Sequence, residues 1–175
     1  KMMDRWWQRG HREKVKGYIR RLLWSLCDES GEMGWSAPQT IAEIIIAIPQ
    51  LLEPYGKMII SRAFEEPALI KGGLWSMGRL GIRIKETVES SREMVLGVFA
   101  SDDIENLGLA AWAMGEVNFK PALPYLNELI VMTGSVQVYI EGQFHEKSVA
   151  QWAQEAITKI TINPVSYTHL TLPTN

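Results

Sequence analysis

Apolar residues recur three and four positions apart over most of the chain, the spacing that puts them on one face of an α-helix. The first such stripe is Val15, Ile19, Leu22, Leu23 and Leu26, in a helix that begins near Arg12 and stops near Cys27. Asp28 to Trp35 then reads as a loop, with Gly31 and Gly34 as breakers. Ile41, Ile44, Ile45 and Ile48 form a second stripe, with Ser36 as its cap, Pro38 in its first turn and Pro49 ending or kinking it. A partner helix follows from about Leu52 or Pro54 to Ala63, through Tyr55, Met58 and Ile59. The next pair begins at Pro67, with Leu69, Ile70, Leu74 and Met77 inward and with Gly78 and Gly81 loosening its end. Residues 83–88 fit a turn or a short extended piece, and Ser90 or Ser91 caps a helix carrying Met94, Val95, Val98 and Phe99. In the third pair, Ser101 or Asp102 caps a helix with Ile104, Leu107, Ala111, Met114 and Val117, and Asn118 ends it in a left-handed conformation. Its partner spans about Pro121 to Val131, with Pro124 in the first turn or a short 3₁₀ lead-in. Val136, Val138 and Ile140 alternate with Gln137, Tyr139 and Glu141, which is the period of a strand. A strand without a partner is unstable, so a short helix is the preferred reading there. A last helix, from about Glu146 to Ile160, buries Val149, Trp152, Ala153, Ala156 and Ile157.

Two of these helices echo one another. Leu74-Trp75-Ser76-Met77-Gly78-Arg79-Leu80 and Ala111-Trp112-Ala113-Met114-Gly115-Glu116-Val117 share Trp, Met and Gly at a constant offset of 37 residues. Trp24 and Trp152 are likewise followed by Ser or Ala, and Gly72, Gly73, Ala110 and Ala111 are small enough for close helix crossing. A period of this size marks stacked supersecondary units, each unable to hide its apolar face alone. On these residues the chain resembles bacterial HEAT-like helical-repeat proteins of the type related to phycobilin-lyase repeats, over roughly residues 37–160. The spacing is uneven, and Pro49 interrupts the Ile-rich helix. The resemblance implies an all-α fold, a short right-handed α-solenoid of stacked antiparallel helix pairs (HEAT-like, armadillo-type). It also implies a protein-binding scaffold, or a lyase-like role in cofactor attachment or maturation. The repeated tryptophans are expected to fill the interfaces between repeats.

Composition changes this picture in three places. The 175 residues are 46 % hydrophobic with a net charge of −2, which suits one folded domain over residues 1–164. A basic N-terminal region, 1–27, precedes the repeats. A single cysteine, Cys27, excludes an internal disulfide and a multi-cysteine metal site, and no apolar run is long enough to span a membrane, so a cytoplasmic protein is expected. From Asn163 onward charge and helical period both vanish. Residues 165–175 resemble translated sequencing-adapter read-through; on that reading the native sequence stops near Pro164 and His169 carries no functional argument.

Candidate chemistry is sparse. No HExxH, Cys–His, phosphate-loop or dinucleotide pattern is present, so no catalytic, metal or cofactor residue is assigned and a non-enzymatic role is expected. The most promising binding stretch is the loop carrying Asp28, Glu29, Glu32 and Trp35, with Glu43 on the following helix. Carboxylates beside indoles suit a cation or a basic partner segment. The structural alternative is a plain helix connection in which Trp35 packs as a staple beside Ser36. An acidic ridge at Asp102, Asp103 and Glu105 offers a second contact for a basic partner. Eight of the 18 Lys and Arg fall in residues 1–21, among them Arg5, Arg9, Arg12, Lys14 and Lys16, beside Trp6 and Trp7. A basic stretch with aromatics can engage nucleic acid, or can be a solvated helix face with one packed indole.

Overall fold

The computed structural model describes residues 2–26 and 34–162. Ten helices and one hairpin are seen there. In order they are α1 (Met2–Gln8), α2 (Arg12–Trp24), α3 (Ala37–Ala47), α4 (Leu52–Glu65), α5 (Ile70–Leu80), α6 (Lys85–Ser90), α7 (Arg92–Gly97), α8 (Ile104–Val117), α9 (Leu123–Leu129), β1 (Ser135–Ile140), β2 (Gln143–Ser148) and α10 (Val149–Ile162). Short 3₁₀ turns begin at Pro49 and Pro67 and span Lys120–Ala122, each placing a proline where its missing N–H costs nothing. The mostly helical reading therefore holds, and none of the described helices is long and apolar enough to cross a membrane.

One row of helices organises the rest. α5 lies between α3 and α8, and α8 lies between α5 and α10. α4 packs on α3 and α5, and α9 packs on α10. Val15 and Ile19 of α2 belong to the same apolar core as Ile160 of α10, and a second, small cluster joins Leu26, Ala37, Ala63 and Leu69. α8 is apolar almost all round, with Leu107, Ala110, Ala111, Trp112, Met114 and Val117 buried, as a helix covered on several sides must be.

The echoed motif explains how closely these helices approach. A Cβ on Gly78 would stand 2.3 Å from the Trp112 ring, and one on Gly115 would stand 2.8 Å from the Ala156 Cα. The two glycines, 37 residues apart in the echoed motif, are thus the contact points of α5 with α8 and of α8 with α10. Gly78 does not loosen the end of α5, as the sequence suggested; it lies inside the helix with the Trp112 indole laid on its bare backbone. Gly81, at φ 57°, is the residue that ends α5.

Several boundaries follow their local chemistry. Asn118 ends α8 at φ 57°, ψ 51°, the left-handed cap expected of it. The cap at the start of α8 is Asp103 rather than Ser101 or Asp102. Its carboxylate accepts the Glu105 N–H at 2.8 Å and the Asn106 N–H at 3.4 Å, while Ser101 Oγ accepts the Asp103 N–H at 3.1 Å. Ser36 and Ser91 precede α3 and α7, but neither hydroxyl makes a capping bond. Residues 81–84 form a 3₁₀ turn that leads into α6, so the extended alternative for 83–88 is not realised.

The main departure from an all-helical chain lies at residues 135–148. β1 and β2 form an antiparallel hairpin in which Val138 faces His145 and Ile140 faces Gln143. The preference for a helix fails because a partner strand follows at once. Glu141 and Gly142, at φ 49° and 91°, make a two-residue turn whose backbone matches the twist of paired strands. Val136 and Val138 are buried against α8, which gives the hairpin the apolar support that an isolated one lacks. The final helix accordingly starts at Val149, three residues later than the apolar period alone implied.

Two outcomes test this packing. Gly78→Ala and Gly115→Ala should each destabilise the fold by about 1–3 kcal/mol through overpacking. Gly97→Ala, where nothing stands within 4 Å, should be neutral or stabilise by up to about 1 kcal/mol; equal effects at all three sites in urea unfolding would refute the close-approach account. Asp103→Ala should cost about 1 kcal/mol and Asp103→Asn less, because the amide keeps the capping oxygen. Lys71 beside Asp103, helped by the Glu105 and Asn106 amides, holds the Asp103 carboxyl below its usual range. Its contribution is therefore full above the ordinary carboxylate pKa and is lost as pH falls through the depressed one. The wild-type advantage over Asp103→Asn should shrink in thermal melts across that acid window.

Candidate functional site

The hairpin is a small arm laid across the helical row, and two indoles hold it there. Trp75 of α5 donates its Nε1–H to the Tyr139 carbonyl at 2.7 Å. Trp152 of α10 donates to the Val136 carbonyl at 3.1 Å. A Cβ on Gly108 of α8 would stand 2.7 Å from Val136 Cγ2, so the strand sits directly on the α8 backbone. Lys147 of β2 fixes the outer strand: its Nζ lies 4.4 Å over the Trp152 ring and 2.7 Å from both carboxylate oxygens of Glu155.

Glu43 enters this arrangement from α3. Its Oε1 accepts from Arg79 Nε at 2.8 Å, and the Arg79 guanidinium lies 5.9 Å from the centre of the Trp75 ring. Arg79 and Trp75 are one turn apart on α5 and so share a face. A chain of contacts thus runs from Glu43 through Arg79 and Trp75 to the Tyr139 carbonyl. The Tyr139 ring packs at 5.1 Å and 59° on Phe144 across the strands. Tyr139 is 44 % exposed and Phe144 71 %, so this pair presents aromatic surface outward instead of to the core.

Between the arm and the helices lies a groove of about 360 Å³. Trp75, Tyr139 and Phe144 wall it, Leu109 supplies apolar floor, and Gln39 and Gln137 bring amides to it. Lys71 and Glu105 stand at its edge. Lys71 also pairs with Asp103 at 3.1 Å, and the Glu105 hydrogen bond is the main reason its ammonium pKa is raised. Gln39 crosses the bare face of Gly72, where a Cβ would meet its amide at 3.0 Å. The Gln39 side-chain oxygen is buried and accepts no hydrogen bond from the described residues. Aromatic walls, an apolar floor and a few amides are the makings of a recognition site. Among the described residues, no three His, Cys, Asp or Glu side chains converge as a metal site would require.

The residues singled out by sequence distribute unevenly. Glu43 belongs to the groove's support through Arg79. Trp35 stands 66 % exposed ahead of α3, so it does not pack as a staple. Asp28, Glu29 and Glu32 lie outside the described residues, as do Cys27 and His169. Of the acidic ridge, Asp103 and Glu105 are both engaged by Lys71. His145 is half-buried on β2 opposite Val138. The four tryptophans differ: Trp112 and Trp152 are buried, Trp75 is half-buried, and Trp24 is exposed at the end of α2. In the basic segment Arg5, Arg9, Arg12 and Lys14 are exposed and Lys16 is half-buried, paired with Glu13 at 3.2 Å. Trp6 and Trp7 are half-buried against the core. Trp75, Tyr139, Phe144 and Gln39 were not selected as site residues by sequence; the alternation at 136–141, which puts Tyr139 opposite the buried valines, was the usable signal. Comparison with protein-family models, with curated proteins and with solved structures found no match to this chain.

Trp75→Phe keeps a ring in place and removes one hydrogen bond, a change of about 0.5–1.5 kcal/mol. Amide exchange at residues 135–148 should accelerate while α8 amides keep their protection. Unchanged exchange in the hairpin would show that the indole does not hold the arm.

Proposed function

We propose that the protein is a non-enzymatic recognition scaffold in which a short helical-repeat array of HEAT-like character carries a peptide-binding groove beside an aromatic arm. The observation that carries this reading is the outward Tyr139–Phe144 pair standing over a groove walled by Trp75. Exposed aromatics grouped beside an apolar floor are costly to leave in water and are the usual anchors of protein interfaces. The row α3, α5, α8 and α10, with α4 and α9 laid against it, supports the repeat reading, as do the equivalent roles of Gly78 and Gly115. A row of this kind gives a rigid base, so little ordering cost falls on the scaffold when a partner binds.

The partner this groove fits is a protein segment that offers an apolar or aromatic side chain to the Trp75 and Tyr139 rings. Backbone amides of that segment can meet the Gln39 and Gln137 side chains. Glu43 and Arg79 act through Trp75, as positioning residues. Trp35 is a further exposed aromatic residue, at the start of α3.

A displayed random-peptide library selected on the purified protein tests this. Enriched peptides should share an apolar anchor, and their affinity should fall about tenfold or more for Phe144→Ala and Tyr139→Ala. Glu43→Ala should weaken binding less. Equal binding by wild type and both aromatic variants would reject the groove.

A further inference from the structure

The charge of the molecule is strongly divided. Residues 1–21 carry eight Lys or Arg against Asp4 and Glu13, whereas the remainder is acidic enough to bring the whole chain to −2. The structure gathers the basic residues on α1, α2 and the turn between them, where Arg5, Arg9, Arg12, Lys14, Arg20 and Arg21 are all exposed. Three of them lie over rings: Lys14 Nζ is 3.9 Å from the centre of Trp6, Arg12 Cζ 5.4 Å from that of Trp7 and Arg21 Cζ 6.0 Å from that of Tyr18, while Arg20 pairs with Glu13 at 3.5 Å. These contacts steady the cations while leaving their remaining N–H donors toward solvent. They also occupy Trp6 and Trp7, which therefore cannot act as stacking platforms. The indole that can is Trp24, 60 % exposed in the last turn of α2 and one turn from Arg20 and Arg21.

We propose that α1 and α2 form a binding surface for single-stranded nucleic acid, with Arg12, Lys14, Arg20 and Arg21 on the phosphates and a base stacked on Trp24. The 13 residues of α2 extend for about 20 Å, enough to follow a few nucleotides of backbone. Charge complementarity selects a polyanion. The exposed indole at the end of the basic track selects an unpaired strand, since a duplex keeps its base faces stacked internally. An anionic membrane is disfavoured, because Met3, Trp6 and Trp7 are packed against the protein's own core and only Met2 and Trp24 among the large apolar residues of the two helices are exposed, too few for an inserting face. Arg12, Lys14, Arg20, Arg21 and Trp24 are not among the residues that line the groove beside the hairpin, so this surface does not depend on it.

Fluorescence anisotropy of the full chain with a labelled oligothymidylate and oligouridylate of about 15 nucleotides tests the proposal. Binding should be measurable at about 50 mM salt and should weaken about 50-fold by about 200 mM, the dependence of roughly four phosphate contacts on a single strand. Trp24→Ala should lower affinity about tenfold without changing the salt slope, and Trp24→Phe should restore most of it. The double variant Arg20→Ala/Arg21→Ala should lower both affinity and slope; circular dichroism confirms that each variant keeps its helices. Absence of binding at low salt overturns the proposal. So does equal binding of a duplex of the same length with no effect of Trp24→Ala, or binding confined to phosphatidylglycerol vesicles.

Discussion

The approach of α5, α8 and α10 to one another's backbones is the constraint on which the other features depend. It is set by Gly78 against the Trp112 ring and by Gly115 against Ala156. Where a side chain is missing, the neighbouring helix comes closer, and dispersion contacts along its length improve together. Trp112 fills the space that Gly78 opens, so the largest and smallest residues of the motif serve a single contact between α5 and α8.

The arm follows from that row. Gly108 leaves room for Val136 on α8, and the Trp75 and Trp152 indoles stand on either side of α8 with N–H groups that meet β1 carbonyls. A two-stranded hairpin is marginal by itself, and here helices supply its apolar floor and part of its hydrogen bonding. Docking it turns Tyr139 and Phe144 outward and leaves the groove beside Trp75. Glu43 and Arg79 reach the same place through the stacked indole without touching what would bind there, while Gln39 of α3 lines the groove itself.

The two surfaces proposed for recognition differ in physical character. The groove offers aromatic area and amides with its nearby charges largely paired, which favours selectivity for shape and apolar content. The α1–α2 surface offers concentrated positive charge, which favours rapid, salt-sensitive attraction of a polyanion. Their placement on different elements allows both to operate in one chain. The acidic remainder of the molecule also lowers indiscriminate binding of nucleic acid elsewhere.

Much of the helical framework was legible in the sequence, because the apolar period of 3.6, the prolines at helix starts and the left-handed Asn118 are local signals that tertiary contacts did not override. The Trp–Met–Gly echo was also visible, but its meaning was not: only packing shows that Gly78 exists to receive Trp112 and not to end a helix. The cap at Asp103 shifted from its neighbours because side-chain geometry, not residue type, decides which oxygen reaches the first free amides. For the hairpin, alternation in β1 was plain, whereas the partner Gln143–Ser148 has little apolar pattern and is held by its turn, Lys147 and the strand beside it. Glu43 was singled out, but the groove it supports was hidden for a related reason. Trp75, Tyr139 and Glu43 are far apart in the chain, and their association arises from helix order and the docked arm. By itself, then, the chain's periodicity determined helices, their approximate ends and the stretch rich in positive charge, all properties of near neighbours. The tertiary structure alone decided which indoles are buried, where the arm lies and which aromatic faces meet solvent, since these depend on contacts between segments that no local pattern encodes.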